Sequence, residues 1–276
     1  MKNILIPYDF SETAINALNY TKKLFKGTNV SIHLLDVYIT EKSHLVSEEK
    51  SDNWYNEMDN EIEEESKYLL DILTKEDTTF KYNFIIDSTS LTNAIKKVVS
   101  EKSIDLIISG TKGAKSLTET FIGTNTLKII NTINNCPILI VPTTYKYKFF
   151  DKIVFSTNYK RSFKRDELKI LLQLSILKKC TIEIVNYSEE YTLNDKQRSY
   201  KVQLREIFKN LSVTYKKLDW NDSETNTLKS HLEKTACELF SLINHKNNFF
   251  NSLLEENVVK KAAFHSKVPF IILPEL

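Results

Sequence analysis

The sequence predicts an α/β protein made of two tandem doubly wound domains, each with a mainly parallel five-stranded sheet, joined as an intramolecular pseudo-dimer. Three observations carry this expectation. Short apolar runs rich in Ile, Val, Leu, Phe and Tyr alternate with longer amphipathic segments, the signatures of buried strands and of helices. The alternation occurs twice: NILIPYDFS at 3–11 resembles KIVFSTNYK at 152–160, and CPILIVP at 136–142 has the form of VPFIILP at 268–274, together holding four of the five prolines. Strands that alternate with helices need right-handed crossovers, and these give a parallel sheet covered on both faces.

In the first copy, strands are expected at about 3–7, 30–38, 80–86, 104–109 and 137–141, and helices at about 12–25, 48–74, 90–101 and 124–133. Asp9, Ser11 or Thr13 can cap the first helix, and Gly27 follows it where a left-handed residue is wanted. The second copy repeats the order, with strands near 152–156, 181–187, 212–218, 236–243 and 269–273 and a shorter second helix at about 195–210. The tract from Glu41 to Glu65 has no counterpart there and is strongly acidic, which reads as a solvated helix and its lead-in. Domain boundaries follow at 1–144 and 150–276. The two proline-bounded strands can pair with each other and cover edges that would otherwise invite aggregation.

Composition narrows the class. With 276 residues, 41 % hydrophobic and 27 % charged, the chain reads as globular, and no apolar run approaches the roughly 20 residues that cross a bilayer. Its start runs directly into a strand-like segment, so no signal peptide is expected and the location is cytoplasmic. Cys136, Cys180 and Cys237 sit in or beside apolar segments and read as small buried residues, and the five histidines have no metal-ligand spacing. The net charge of +2 gives no argument for nucleic acid, but it divides into −5 for residues 1–145 and +7 for the rest, which favours docking of the halves. The densest basic stretch, Lys160, Arg161, Lys164 and Arg165, follows helical spacing and reads as a solvated helix face.

Chemistry concentrates in GTKGAKSLTETFIGTNT, residues 110–126, which holds three of the four glycines. The stretch follows the fourth strand, and in open α/β sheets ligands bind beyond the carboxyl ends of the strands where strand order reverses. Gly110 and Gly113 are expected to form a bare loop. Gly123, Thr124 and Asn125 open the next helix and present backbone N–H groups at its positive end, a ready anion site, with Lys112 or Lys115 and the Thr124 hydroxyl adding charge-assisted contacts. Neither well-known phosphate motif is present. A P-loop needs four residues between its glycines and Gly directly before Lys, whereas two intervene here and Ala114 precedes Lys115; the dinucleotide fingerprint needs Gly-x-Gly after the first strand.

The spacing that occurs is Gly110, two residues, Gly113, nine residues, Gly123, Thr124. It resembles the nucleotide-binding motif of the universal stress protein family in its ATP-binding branch. The likeness extends to NILIPYDFSETAINAL, IDLIISGTKG and NCPILIVP, and so covers residues 1–143. It implies a Rossmann-like fold and a bacterial stress-response or regulatory protein of the tandem two-domain form. It also implies ATP or AMP as the ligand, with phosphates on Gly110, Gly113, Gly123, Thr124 and Asn125. Positions matching Pro7 and Asp9 line the adenine and ribose end in that family, and the end of the second strand, here Asp36 and Val37, meets the adenine through its backbone. By residue alone, Asp9 reads equally as a helix cap and Pro7 as a strand end. Asp87 and Ser88 stand where the family often has glycine. Asp9 and Asp87 facing one crevice would repel phosphate unless a hard cation such as Mg²⁺ lay between them.

The second copy lacks every glycine of the motif. Ser156 replaces Pro7, Asn158 replaces Asp9, and aligning the prolines sets Glu255 and Glu256 opposite Gly123 and Thr124, so this domain is expected to be structural. The partners expected are an adenine nucleotide and an unidentified protein, with no nucleic acid and no membrane; a homodimer beyond the internal pseudo-dimer stays open. Two rival functions remain at this point, a slow ATPase and an interaction scaffold that binds no nucleotide. No positioned nucleophile or general base stands out near the glycines, so catalytic residues are assigned to none.

Overall fold

The computed structural model describes residues 1–37, 48–111, 123–188, 190–221, 223–235, 237–244 and 268–276. The first half runs β1 (Asn3–Pro7), α1 (Glu12–Leu24), β2 (Ser31–Val37), α2 (Glu48–Glu76), β3 (Lys81–Asp87), α3 (Leu91–Glu101), β4 (Leu106–Gly110), α4 (Thr124–Thr132) and β5 (Ile138–Val141). The second half runs β6 (Lys152–Ser156), α5 (Lys169–Lys178), β7 (Thr181–Asn186), α6 (Asp195–Phe208), β8 (Val213–Lys217), α7 (Glu224–Lys234), β9 (Leu239–Ile243) and β10 (Phe270–Leu273). These bounds follow the expected ones to within a few residues, because the inner strands are runs buried on both faces and read clearly as such, while the edge strands β3 and β8 are partly exposed.

All ten strands form one sheet in the order β3-β2-β1-β4-β5-β10-β9-β6-β7-β8. Every pairing is parallel except that of β5 with β10, which is antiparallel with Phe270 opposite Ile140, Ile271 opposite Leu139 and Ile272 opposite Ile138. The two proline-bounded strands thus close each other's edges. Hydrophobic cores on the two faces run continuously through both halves: Leu139 and Ile271 contribute to one, Ile138, Ile140, Phe270 and Ile272 to the other. The charge difference between the halves plays little part in joining them. Among the described residues one ion pair crosses between them, Lys169 with Asp105 at 3.9 Å, and it is too exposed to weigh much against an apolar, main-chain-bonded seam.

The repeat extends to a staple at the foot of each half. Asp105, just before β4, accepts main-chain N–H bonds from Lys2 and Asn3 at 2.6 and 3.2 Å. Glu238, just before β9, accepts from Asp151 and Lys152 at 3.2 and 2.9 Å. Each carboxylate satisfies donors that the first strand of its half would otherwise leave unpaired. The three cysteines are free and buried.

The halves differ where the first helix meets the sheet. Four residues separate β1 from α1, and Ser11 caps the helix by accepting from Ala14 N. The helix start comes so close to β4 that a Cβ placed on Gly110 would lie 2.5 Å from the Thr13 carbonyl oxygen. Gly110 is therefore not part of a bare loop; it ends β4 and is glycine because α1 packs there. By register its counterpart in β9 is Ile243, and in the second half twelve residues separate β6 from α5. That longer segment corrects the helical reading of the basic stretch at 160–165. It is irregular, with Tyr159 at φ +53°, and is gathered around the fully buried Glu167 carboxylate, which accepts from Arg161, from Lys164 N at 3.0 Å and from Leu276 N at 2.9 Å. Helical spacing of four basic residues lost to a buried acceptor that only tertiary folding supplies.

A second contrast lies beneath α3 and α7. His33 on β2 is 6 % exposed and neither ring nitrogen has a hydrogen-bond partner. Its counterpart on β7, Glu183, is bonded to His231 of α7 at 2.7 Å and to Lys152 at 3.0 Å. Burial, helped by the nearby Lys102, lowers the His33 pKa from 6.5, so the folded protein holds a neutral imidazole.

Two outcomes follow. Gly110→Ala forces the start of α1 off the sheet and lowers stability by about 1–3 kcal/mol in urea titration. The unfolded chain protonates His33 more readily than the folded one, so His33 costs stability as pH falls below 6.5 and nothing above it. His33→Leu matches or exceeds wild type at pH 8 and loses less stability between pH 7 and about 5, read as denaturant midpoints across pH.

Candidate functional site

Strand order reverses between β1 and β4, and beyond their carboxyl ends lies a cleft of about 920 Å³. Pro7, Val37 and Gly110, the last residues of β1, β2 and β4, form its floor. The start of α1 makes one wall and the start of α4 another, with Thr143 and Thr144 at the rim. The candidates Pro7, Asp9, Val37, Gly110, Gly123, Thr124 and Asn125, scattered over more than a hundred positions, all line this one cleft. Lys112 and Gly113 lie outside the described residues, as do Lys115, Glu255 and Glu256.

The two helix ends facing the cleft are electrically unlike. α1 is satisfied: Ser11 caps it, Glu12 sits in its first turn, and Asp9 accepts from Ser11 N at 3.2 Å and from the Ser11 hydroxyl at 2.5 Å. α4 begins at Gly123 with φ −64° and ψ 154°, has no side-chain cap among the described residues and carries no acidic residue in its first turn. No described side chain meets its first N–H groups or the positive end of its dipole. The helix is held in place from below, where the Thr126 hydroxyl donates to Gly110 O at 2.9 Å and lies 3.3 Å from the Ser109 hydroxyl.

The opposite end is acidic. Asp36 lines the cleft at the end of β2, and burial, with Asp9 and Glu65 adding repulsion, raises its pKa above the usual carboxylate value against the opposing pull of the Val37 N–H. Burial and the neighbouring Asp9 likewise raise the Tyr8 phenol. The cleft therefore has a positive end at α4 and a negative end at β2, suited to a ligand with an oxyanion at one end and hydrogen-bond donors at the other.

Asp87 is the correction at this site. It does not line the cleft. It is buried, accepts from the Thr89 hydroxyl and from Thr89 N at 2.8 Å, and pairs with Lys97 at 3.2 Å. The Thr89 hydroxyl first, and Lys97 with it, hold this carboxyl below its ordinary range. The carboxylates that line the cleft with Asp9 are Asp36 and Glu12. Thr126, Thr143 and Thr144 also escaped sequence reasoning. Thr126 stands two residues past Thr124, a hydroxyl in a first helical turn directly after the glycine motif, and that position is the one available signal. In the second half Ser156 and Asn158 are engaged otherwise: the Ser156 hydroxyl lies 3.2 Å from the Tyr187 hydroxyl, and Asn158 accepts from Lys160 N and Gln197. Among the described residues no group of three or more His, Cys, Asp or Glu is placed to hold a metal, and no helix is long and apolar enough to cross a membrane.

Comparison with known proteins agrees with this architecture. The profile described as "Universal stress protein family" matches residues 1–142. Among relatives, the universal stress protein MJ0577 of Methanocaldococcus jannaschii is 32 % identical over 153 residues, spanning 51 % of this chain and 94 % of that protein. The crystal structure of a universal stress protein from Archaeoglobus fulgidus covers 99 % of this chain and 98 % of its own, with a TM-score of 0.71 at 17 % identity. The functionally unknown protein PA1789 from Pseudomonas aeruginosa covers 99 % and 92 %, with a TM-score of 0.57 at 12 % identity. At these identities the two structures speak for the fold, and they do so over both halves. With the family profile spanning half the chain and the strand order, helix placement and cleft in agreement, this chain belongs to the universal stress protein family.

Proposed function

We propose that the cleft of the first half binds an adenine nucleotide, ATP or AMP, and that the protein acts as a nucleotide-responsive stress or regulatory protein whose second half is structural. The observation that carries this reading is the start of α4, which no described side chain caps, at a cleft whose other helix end is already satisfied. The N–H groups of Gly123, Thr124 and Asn125 would take the phosphates, with Lys112 and Gly113 contributing from the adjoining segment. Asp9 would accept from ribose hydroxyls, and the main chain of Val37 with the Pro7 strand end would border the base. Mg²⁺ would accompany a polyphosphate and offset the repulsion from Asp9 and Asp36. Among the described residues the cleft is lined by no histidine, and the reading is of binding and signalling to a protein partner, with slow turnover at most.

Ligand-induced stabilisation tests this directly. At a hundredfold excess over Kd, ATP with Mg²⁺ adds about 2.7 kcal/mol and raises the melting temperature by several degrees. The backbone angles of Gly123 suit any L-residue, so Gly123→Asp supplies the missing cap and places a carboxylate in the anion site. The variant is expected to be more stable than wild type without ligand, by about 0.3–1 kcal/mol, and to show no shift with nucleotide. That opposite movement separates loss of the site from damage to the fold. No shift of wild type with any adenine nucleotide favours a scaffold, and multiple-turnover phosphate release abolished by Gly123→Asp favours an ATPase.

A further inference from the structure

The helices α1, α2, α5 and α6 cover one face of the sheet. Their buried residues Leu24, Leu73, Leu171 and Leu204 belong to a single core, separate from the one under α3, α4 and α7. Among the described residues, the large hydrophobics exposed on helices all lie on this first face, whereas α3, α4 and α7 expose none. Tyr68 on α2 is 70 % exposed, Ile176 on α5 is 65 % exposed, and Phe149, in the linker that runs along this face, is 77 % exposed. Several apolar side chains left open on one face, and none on the helices of the other, mark an interaction surface.

Charge divides that surface in two. At its centre the ends of α1 and α5 meet the linker: Lys178 Nζ lies 5.6 Å from the Tyr147 ring and donates to Lys23 O at 3.5 Å, while Tyr147 packs edge-on against Tyr20. Around this junction Lys23, Lys26, Lys146, Lys148 and Lys179 are exposed, and among the described residues none of them forms an ion pair. Beside it runs α2, brought next to α1 by the Lys22–Glu76 pair. The outward side of α2 carries Glu64, Tyr68 and Asp71, spaced four and three residues apart and hence on one face. Among the described residues Asp71 pairs only with Lys75 of its own helix, and both are largely exposed, so little is lost when that pair is exchanged.

We propose that two copies of this chain associate through this face about a two-fold axis, the Glu64–Tyr68–Asp71 stripe of each resting on the lysine-rich junction around Phe149 of the other. The stripe and the junction lie side by side on one face, so a single two-fold rotation brings each onto its complement and closes the assembly. Apolar Tyr68 and Phe149 supply the dry centre and the charges set the register. An anionic bilayer is the competing occupant of a basic patch that bears a phenylalanine. The acidic stripe on the same face would be pressed against that bilayer and opposes it.

Sedimentation equilibrium of the full chain is the test. Wild type is expected to be a dimer whose dissociation constant rises about tenfold between roughly 0.05 and 0.5 M salt. Lys148→Glu with Lys179→Glu, and separately Glu64→Lys with Asp71→Lys, are expected to be monomers with wild-type circular dichroism. An equimolar mixture of the two is expected to recover the dimer, since each then meets its complement at both contacts. A monomeric wild type overturns the proposal. So do charge variants that remain dimeric, a mixture that stays monomeric, or flotation of wild type with phosphatidylglycerol vesicles without self-association.

Discussion

The approach of the Thr13 carbonyl to Gly110 is the constraint on which the rest of this molecule turns. With no side chain at the end of β4, the start of α1 settles directly over the point where strand order reverses. The same approach leaves the cleft between α1 and α4, and it lets Asn16 of α1 donate to Pro142 O at 3.0 Å, fixing the rim. In the second half Ile243 stands in the equivalent place and the first helix begins eight residues later, past an irregular segment wrapped around Glu167. One residue without a Cβ thus separates the half with a described cleft from the half built on the same strands without that approach.

Electrostatics then gives the cleft a direction. Helices α1 and α4 both point their N-termini at it, but Ser11, Glu12 and Asp9 occupy the field of α1, while α4 begins with glycine and two residues that carry no charge. Across the cleft, Asp36 and Asp9 raise the potential for anything negative at the end of β2. A group with charge only at one end fits in one orientation. The Asp87 carboxylate, which would have spoiled that polarity, is taken up by Thr89 and Lys97 before it reaches the cleft.

The seam between β5 and β10 makes the two halves one body. Its residues are buried on both faces, and its main-chain bonds continue the sheet without a break. Apolar burial and main-chain pairing depend little on salt, so the opposite net charges of the halves are not spent on holding them together and stay at the surface.

The strands and helices of both halves, their repeat, and the strands that join them were legible from local pattern, because a strand buried on both faces and an amphipathic helix each write their burial into consecutive residues. The glycine spacing marked the neighbourhood of the cleft for the same reason, since a missing side chain is visible in sequence whatever its purpose. What tertiary structure decided was purpose and partnership: that Gly110 makes room for Thr13, that Asp36 and not Asp87 shares the cleft with Asp9, and that Arg161 and Lys164 turn inward to Glu167 instead of lining a helix. Each depends on a partner far away along the chain or on which of several nearby groups reaches first. Such contests are settled by three-dimensional distance, which no local pattern records.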